Sequence, residues 1–452
     1  MSSFFVRIKR HLFENIKDRI PVEVNKVLIE LNCWPTLVFG REYKEHFSNL
    51  KNNQINPNLE QQVLNITNFC LKNVPYYRKR YSRYSIKSIA DFYKIIKPID
   101  KQEVLDNFED FIADGIKMSD YDFVTTGGTS GKPLNLYLPK KRYAVELATL
   151  HYVWGKLGYN FSKRGVIRNT KLKKNKDYII NPISKEFIFD GFRLNNDYFE
   201  TIFDTLKRNN INFLHGYTSN LFLFGKFLIA NNKDFSFIKG LFTTSENTSQ
   251  LMNSFFNQEL KIPHMNFYGH TEKLVFASYC ENTDFYHVDS FYGYTEILNS
   301  SNKRSKFGEI TGTTINNYGM PLLRYKTGDY TQVAECGCEN CDFKGLIFKE
   351  IYGRWDGSKI YNKDGSSVTT TALNLHSELY AKIEGIQYFQ HQKGKLQVRI
   401  IKGEAFSKTT ELELRDEILS KFNLDFELDI KYVGALEKKS NGKFLLLISK
   451  IH

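Results

Sequence analysis

The chain has 452 residues, of which 41% are hydrophobic and 15% aromatic, and its formal net charge is +13. This length predicts two or three domains, and the apolar content excludes a disordered chain. The sequence contains no run of about 20 apolar residues, so no conventional membrane-spanning helix is expected. Because the basic residues are scattered, we interpret most of the charge as solvated surface. Contact with nucleic acid, anionic lipid or an anionic substrate stays open.

Residues 1–115 are predicted to be mostly helical. Residues 1–31 have apolar side chains at near-helical spacing between basic ones. This pattern indicates an amphipathic helix that packs on its own domain or makes a peripheral contact with a membrane surface. Charged residues interrupt any secretory signal, so we expect a cytoplasmic protein with reduced cysteines. Further helices are predicted at 58–71 and 88–95, and a third after 97–101.

A glycine-rich stretch, Thr-Thr-Gly-Gly-Thr-Ser-Gly-Lys-Pro, occupies residues 125–133. The flanking residues 121–124 and 134–138 predict two strands joined by this loop. Successive backbone N–H groups in such a loop form an anion site, and hydroxyls and a lysine add donors. A Walker A loop is excluded, because Thr126 stands where glycine is required and Pro133 where serine or threonine is required. A flexible hairpin without a ligand is the alternative. The candidate phosphate ligands are Thr125, Thr126, Gly127, Gly128, Thr129, Ser130, Gly131 and Lys132.

Residues 116–350 are predicted to alternate strands and helices, which indicates a largely parallel sheet covered by helices. The predicted strands are 211–214, 241–244 and 265–268, and the predicted helices are 198–209, 220–231 and 249–260.

After residue 351 the pattern changes. Apolar and polar residues alternate near 396–400, 426–432 and 444–449, with a helical segment at 408–422. This predicts a small α+β domain. With the boundary near Gly353-Arg-Trp-Asp-Gly357, the domains are 1–352, with a helical lead-in at 1–115, and 353–452.

Five separated motifs then fall into one order. The loop at 125–133 is followed by Tyr268-Gly-His-Thr-Glu272, Pro321-Leu-Leu-Arg-Tyr-Lys-Thr-Gly-Asp329, Gly353-Arg-Trp-Asp356 and Ser440-Asn-Gly-Lys443. This order resembles that of the adenylate-forming enzymes, which include acyl-CoA synthetases and adenylation domains. More narrowly it is similar to the phenylacetate-CoA ligase-like family and its capsular-polysaccharide-associated branch. The resemblance runs from about residue 60 to the C-terminus.

The resemblance implies an α/β fold with a large N-terminal adenylate-forming domain of helix-covered sheets and a small α+β C-terminal domain on a hinge. The implied reaction is the ATP- and Mg²⁺-dependent, AMP-forming activation of a carboxylic acid to an acyl-adenylate. The acyl group would then pass to a thiol or amine acceptor, namely CoA, a carrier protein or an amino sugar. The branch suggests a role in surface polysaccharide biosynthesis.

The resemblance also implies roles for individual residues. Glu272 would be the magnesium carboxylate and Thr271 a contact to the α-phosphate. Asp329 would bind the ribose hydroxyls, with Arg354 nearby. Lys443 would act at the adenylation transition state, and Asp356 would be the hinge. His270 occupies a position that the family pattern leaves variable. The implied adenine segment is Ser245, Glu246, Asn266, Phe267, Tyr268 and Gly269, and the implied acid pocket is His215, Gly216 and Tyr217.

The cysteines form a second cluster. Cys336-Gly-Cys-Glu-Asn-Cys341 offers three thiols, and Cys280 and His287 lie upstream. Structural zinc takes four such ligands in a tetrahedron. Members of the resembled family carry a similar set, so we predict a zinc site of Cys280, His287, Cys336 and Cys338, with Cys341 as the alternative. Reduced cysteines without metal remain the other interpretation.

Two rival functions stay open at this point. A basic, zinc-containing nucleic-acid-binding protein would use the net charge and the cysteine cluster. No recognised binding module is present and the cysteines lie within an enzyme-like α/β pattern, so we expect no nucleic-acid partner. An adenylate-forming fold that no longer catalyses is the second, and the presence of Glu272, Asp329 and Lys443 argues against it.

Overall fold

The computed structural model of the chain describes most of its length. The described residues are 21–31, 35–126, 133–168, 171–173, 175–244, 250–280, 283, 285–334, 338, 341, 343–352, 359–369, 373, 379, 382–437 and 446–451. They fall into two compact units, one drawn from Met1–Asp122 and Tyr137–Ile351 and the other from Phe123–Leu136 and Tyr352–His452. Residues 1–20 of the predicted amphipathic helix and the predicted boundary at 353–357 lie outside the described residues.

Helices dominate the start of the described chain. Ser88 caps one of them, because its side chain accepts a hydrogen bond from the Asp91 N–H while the Asp91 carboxylate accepts one from the Ser88 N–H. Asp100 caps the next helix with its carboxylate. Serine and aspartate are favoured at such positions. The three helices predicted here are confirmed. In chain order they are α1 (Val22–Glu30), α2 (Pro35–Phe39), α3 (Arg41–Asn52), α4 (Leu59–Asn73), α5 (Pro75–Tyr81), α6 (Ile89–Ile95) and α7 (Lys101–Asp106).

Fourteen strands follow among the described residues up to Tyr352. They are β1 (Tyr121–Thr125), β2 (Asn135–Pro139), β3 (Arg164–Arg168), β4 (Tyr178–Asn181), β5 (Glu186–Asp190), β6 (Phe213–Tyr217), β7 (Gly240–Thr244), β8 (His264–Gly269), β9 (Phe276–Tyr279), β10 (Tyr286–Val288), β11 (Tyr294–Leu298), β12 (Phe307–Thr313), β13 (Tyr325–Val333) and β14 (Ile347–Tyr352). β1 and β2 pair with each other. The other twelve form one sheet in the order β11-β12-β13-β14-β10-β9-β8-β7-β6-β3-β5-β4.

The part of this sheet from β8 to β5 is parallel. β3 pairs with β5 and β6, β6 pairs with β7, and β7 pairs with β8. An aromatic-rich core, which includes Ile167, Phe199 and Leu221, covers one face of these strands. Since ligands of open α/β sheets bind at the carboxyl ends of parallel strands, this edge is where a site is expected. The helices of this region are α8 (Arg142–Gly155), α9 (Asn196–Arg208), α10 (Thr218–Ala230) and α11 (Gln250–Ser254), which continues as a π-helix at Phe255–Leu260.

The predicted alternation of strands and helices ends at β8. From β9 to β14 the described residues form strands without intervening helices, and β8–β9, β9–β10, β10–β14, β11–β12 and β12–β13 pair antiparallel. Antiparallel neighbours need only a short connection, whereas a parallel pair needs a crossover of about a dozen residues or more. The sheet is therefore mixed rather than largely parallel.

The C-terminal part has its own core. Tyr388, Val398, Ile400, Leu414 and Ile418 are buried together in it. A four-stranded sheet in the order β19-β18-β17-β20 contributes the strands of this core. The elements are β15 (Lys359–Tyr361), β16 (Ser367–Thr369), β17 (Ile383–Gln392), β18 (Lys395–Lys402), α12 (Lys408–Leu419), β19 (Glu427–Tyr432) and β20 (Leu447–Ser449). This is the α+β arrangement that the alternating sequence pattern predicts.

None of the helices in the described part of the chain is long and apolar enough to cross a bilayer.

Candidate active site

The glycine-rich loop is described only at its base, since residues 127–132 lie outside the described residues. Thr125 Oγ1 donates a hydrogen bond to Asn135 Oδ1 over 2.9 Å. Thr126 Oγ1 accepts one from the Leu134 N–H over 2.9 Å, and the Thr126 N–H donates to the Leu134 carbonyl over 2.8 Å. Both threonine hydroxyls are therefore used to close the hairpin.

Tyr268 and Asp329 come from two different motifs and meet in the large sheet. Tyr268 lies in β8 and Asp329 in β13, and the tyrosine hydroxyl donates to Asp329 Oδ2 over 2.9 Å. Burial and the nearby carboxylate raise the pKa of Tyr268 well above 10, so the hydroxyl keeps its proton. The Asp329 N–H donates to Thr327 Oγ1 over 3.1 Å. Gly328 between them has a φ of 79°, which glycine adopts without strain.

Glu272 follows the same strand edge and is held as a carboxylate. Its Oε1 accepts a hydrogen bond from the Tyr325 hydroxyl over 3.0 Å, and its Oε2 lies 2.9 Å from His270 Nδ1. Burial raises the pKa of Glu272, but the His270 contact and the nearby Lys101 charge outweigh burial and lower it to about 2. With one side-chain partner on each oxygen, the carboxylate keeps acceptor positions that suit a hard cation.

His270 fixes the position of Glu272. Its Nε2 lies 3.2 Å from the Val275 N–H, which donates to it, so Nε2 acts as an acceptor. Nδ1 therefore carries a proton and donates it to Glu272 Oε2. Because His270 bonds to the Val275 N–H through one ring nitrogen and to Glu272 through the other, it orients the Glu272 carboxylate.

The turn after Glu272 is anchored on α8. Lys273 has a φ of 58°, and its Nζ contacts Glu146 Oε1 over 2.8 Å. The Tyr292 hydroxyl donates to Glu146 Oε2 over 2.6 Å. Arg142 Nη2 donates to the carbonyls of Lys273 and Tyr292, each over 3.2 Å. A non-glycine residue at positive φ costs about 1–3 kcal/mol and persists only where its surroundings fix it. The contacts of Arg142, Glu146 and Tyr292 fix the backbone at Lys273.

Arg324 anchors the start of β13. It is 3% exposed, has a φ of 51°, and pairs with Glu296 through Nε–Oε2 and Nη2–Oε1 contacts of 3.0 and 2.9 Å. Its Nη1 donates to the carbonyls of Tyr93 and Ile96. The bidentate pair joins β11 to the start of β13, and the Nη1 hydrogen bonds join the C-terminal end of α6 to the same strand.

The residues of the predicted acid pocket lie on β6, and those of the predicted adenine segment that are described lie on β8. Gly216 is required there, because a Cβ would lie 2.8 Å from the Ile167 carbonyl. His215 and Tyr217 project from the face opposite to Gly216 by strand alternation. Phe267 in β8 stacks on Phe276 with ring centroids 5.2 Å apart.

Asn266 also belongs to the predicted adenine segment on β8. It is buried, with 2% of its surface exposed. It lies opposite Thr243 of β7 in the strand register. Alternation places it on the same face as Tyr268, whereas Gly269 ends the strand.

Three cysteines and one histidine form a tight cluster where the β9–β10 hairpin meets the loop between β13 and β14. Cys280 Sγ lies 3.6 Å from Cys338 Sγ, and Cys341 Sγ lies 3.4 Å from His287 Nε2. All four ligand atoms lie within 4.8 Å of one another. A zinc tetrahedron with bonds of about 2.3 Å to sulfur has sulfur–sulfur edges of about 3.8 Å, so the group fits this metal.

Burial lowers the pKa of His287 to about 4, so its imidazole is neutral at pH 7, the form that binds metal. Cys341, the predicted alternative, supplies the fourth atom of the described cluster, while Cys336 lies outside the described residues.

Several predicted site residues cannot be placed. Outside the described residues lie Gly127, Gly128, Thr129, Ser130, Gly131, Lys132, Ser245, Glu246, Cys336, Arg354, Asp356 and Lys443. Their roles stay predictions.

The sequence analysis did not identify the residues that position the predicted site residues through hydrogen bonds. His270 was a variable position in the resembled motif, yet it is the hydrogen-bond donor to Glu272. Tyr325 lies inside a quoted motif, but only the structure shows its contact with Glu272. Arg142 and Glu146 belong to no motif, and no signal in a single sequence would have connected them with Lys273, more than a hundred residues away.

Comparison with solved structures shows the fold. The chain is similar to a crystal structure of 2-hydroxyisobutyryl-CoA ligase in complex with 2-HIB-AMP and CoA, described as the thioesterification state. The TM-score is 0.55 at 12% identity, over 87% of this chain and 91% of that one. A structure of the same ligase in the postadenylation state gives a TM-score of 0.50 at 12% identity, over 88% and 93% of the two chains. The chain therefore shares the α/β fold of this CoA ligase.

Sequence comparison adds one further finding. A family model described as the CapK C-terminal domain matches residues 360–450. A search of curated proteins finds no relative of the chain.

Proposed function

We propose that this protein is an AMP-forming ligase that activates a carboxylic acid with ATP. The observation that carries the proposal is the meeting of two motifs in one sheet. Tyr268 holds Asp329 across β8 and β13, and His270 and Tyr325 hold Glu272 ionised at the end of β8. Asp329 and Glu272 are the two carboxylates that the resemblance assigns to the ribose and to magnesium, respectively. They occur in a fold whose solved examples include a ligase bound to an acyl-AMP.

The residues support a displacement at the α-phosphate. The acid oxygen would bond to the α-phosphorus while the bond to pyrophosphate breaks, giving an acyl-adenylate. Asp329 would accept hydrogen bonds from the ribose hydroxyls and so fix the nucleotide. Glu272 would hold Mg²⁺, which offsets phosphate charge when bound. Thr271, next to Glu272, would contact the α-phosphate.

Residues outside the described parts complete the proposal. Residues 127–132 would bind the β- and γ-phosphates, Ser245 and Glu246 the adenine, and Arg354 would assist Asp329 at the ribose. Lys443 would stabilise the charge that develops as the acid attacks. Asp356 would be the pivot on which the C-terminal domain turns before acyl transfer, with the domains divided at residues 352 and 353.

The finer assignment is also a proposal. The motifs favour the phenylacetate-CoA ligase-like family, and the match to a CapK C-terminal domain supports a role in surface polysaccharide synthesis. Acceptors that suit this role are CoA, a carrier-protein thiol or an amino sugar. We place the protein in the cytoplasm, where ATP is available and cysteines stay reduced.

We include one structural zinc in the proposal. Cys280, His287, Cys338 and Cys341 would hold it, joining the β9–β10 hairpin to the loop between β13 and β14. Its binding free energy would add to folding rather than to catalysis.

The test is pyrophosphate release by the purified full chain with ATP, Mg²⁺ and a panel of carboxylic acids. We expect release with at least one acid, and a loss of about 100-fold or more in Glu272→Gln. The exposed Glu259 provides the control variant Glu259→Gln, which should keep full activity. ATP binding without turnover for every acid would favour a non-catalytic fold. A salt-dependent shift of nucleic acid, without ATP binding, would favour the nucleic-acid alternative.

A further inference from the structure

An excess of positive charge lies along β3 and β5. Arg164 Nη2 and Arg168 Nη2 pair with the two oxygens of one carboxylate, Glu186, over 2.7 and 2.9 Å. Arg193 Nε pairs with Asp190 Oδ2 over 3.2 Å. Three guanidinium groups therefore share two carboxylates, and one positive charge is left over among these side chains.

Arg168 carries that extra charge. Its side chain is 43% exposed, whereas the side chain of Arg164, which shares Glu186 with it, is 2% exposed. Arg168 Nε is buried and has no hydrogen-bond partner in the part of the chain that the structure describes. Asp190 faces it across the strands, but that carboxylate already accepts from the N–H groups of Leu172 and Phe192.

A second group without hydrogen-bond partners lies on the same sheet face. His215 is paired in register with Val166 of β3 and Phe242 of β7. Both of its ring nitrogens are buried, and neither has a partner within the described ranges. Trp154 of α8 lies 5.0 Å away between ring centroids, and its Nε1 is also without a partner there. Burial and the nearby guanidinium groups lower the pKa of His215 well below 6.5, so the ring is neutral.

These groups border the proposed acid pocket. The last registered pair of β3 and β6 is Ile167 with Gly216, so Arg168 follows at the level of Tyr217. Strand alternation puts Arg168 on the His215 face. The Arg168 Nη2 reaches back to Glu186, the first residue of β5, so the side chain runs along the strands past the level of Val166 and His215.

We infer that the acid bound by this chain carries a second carboxylate, which Arg168 pairs with while His215 donates a hydrogen bond. The inference rests on the proposed function and names its substrate class as dicarboxylic acids. A guanidinium matches a carboxylate in shape and charge. A plain hydrocarbon tail would instead cover Arg168 and His215 and leave their polar groups unpaired, which is unfavourable.

The experiment compares acids matched in chain length: glutarate with pentanoate, and adipate with hexanoate. Pyrophosphate release gives kcat/KM for each acid. We expect at least one dicarboxylate to exceed its matched monocarboxylate about tenfold or more. Arg168→Gln should remove that preference, seen as a fall of about tenfold in the ratio of kcat/KM for the dicarboxylate to kcat/KM for the matched monocarboxylate. The fold should survive, since Glu186 keeps Arg164 as partner. Arg208→Gln, at the exposed end of α9, is the control and should keep the preference.

Equal or better turnover of the monocarboxylates by the wild type would overturn this inference and leave the proposed function intact. An unchanged preference in Arg168→Gln would also overturn it. If Arg168→Gln fails to fold, the wild-type comparison and Arg168→Lys decide, because lysine keeps the charge and should retain part of the preference. No turnover with any acid and no ATP binding would remove the proposed function, and this inference with it.

Discussion

At the scale of single residues, His270 has the clearest consequence. It donates to Glu272 over 2.9 Å, and this bond opposes the effect of burial on the carboxyl group. The folded pKa of Glu272, about 2, lies below the ordinary 4.5. The ionised carboxylate therefore stabilises the fold above about pH 5, and this contribution is lost as the pH falls toward 2.

Replacing His270 should reverse the balance. In His270→Ala burial dominates, so we expect the pKa of Glu272 to rise and the acid limb of the pH–rate profile to move to higher pH. The measurement is kcat/KM for pyrophosphate release from about pH 4 to 8. His391→Ala, at an exposed position of β17, is the control and should leave the profile unchanged. An acid limb that stays in place in His270→Ala would show that another group keeps Glu272 ionised.

Arg324 gives a prediction about stability. Arg324→Ala would leave Glu296 buried without its bidentate partner, so the free energy of unfolding should fall by about 3–5 kcal/mol. Denaturant unfolding of the full chain measures this, with Arg83→Ala at an exposed position as the control. A loss below about 1 kcal/mol would mean that water replaces the guanidinium.

At the scale of secondary-structure elements, the metal cluster connects the β9–β10 hairpin with the loop between β13 and β14. We expect about one zinc per chain in protein purified without an affinity tag or added metal. Cys341→Ser and Cys338→Ser should lose zinc and unfold at lower temperature. Cys336→Ser should keep it, because the described cluster is complete without Cys336.

Elemental analysis and thermal unfolding test this, with the buried Cys70 as the matched control in Cys70→Ser. Zinc loss in Cys336→Ser with zinc retained in Cys341→Ser would restore the ligand set that the sequence favoured. Absence of zinc from the wild type would remove the site and leave the ligase proposal standing.

How far the sequence predicts these elements depends on whether the cause is local. Ser88 and Asp100 cap their helices through neighbours three residues away, so both helix starts could be read from the sequence. The choice between Cys336 and Cys341 as zinc ligand could not be predicted from the sequence. Three thiols within six residues are equally good candidates until the path of the loop is known. Arg168 was missed for a similar reason. Its excess charge appears only when β3 and β5 pair, which brings Glu186 and Asp190 beside it.

At the scale of the whole molecule, the proposed cycle needs two arrangements of one small domain. Lys443 would act on the acid before pyrophosphate leaves, and the acceptor must then reach the acyl-adenylate. Asp356→Pro fixes φ and removes a backbone donor at the proposed pivot. We expect it to spare pyrophosphate exchange and to reduce product formation with the acceptor by about tenfold or more. Equal losses in both half-reactions would mean that Asp356 is not a selective hinge.

The most direct test of the central claim is detection of the acyl-adenylate itself. The full chain would be incubated with ATP, Mg²⁺ and an accepted acid without acceptor, and the bound and released products together would be identified by mass spectrometry. We predict acyl-AMP and pyrophosphate in equal amounts from the wild type, and a rate of formation lower by about 100-fold or more in a correctly folded Lys443→Ala. Formation of ADP and phosphate, or acyl-AMP at the wild-type rate in Lys443→Ala, would contradict the account.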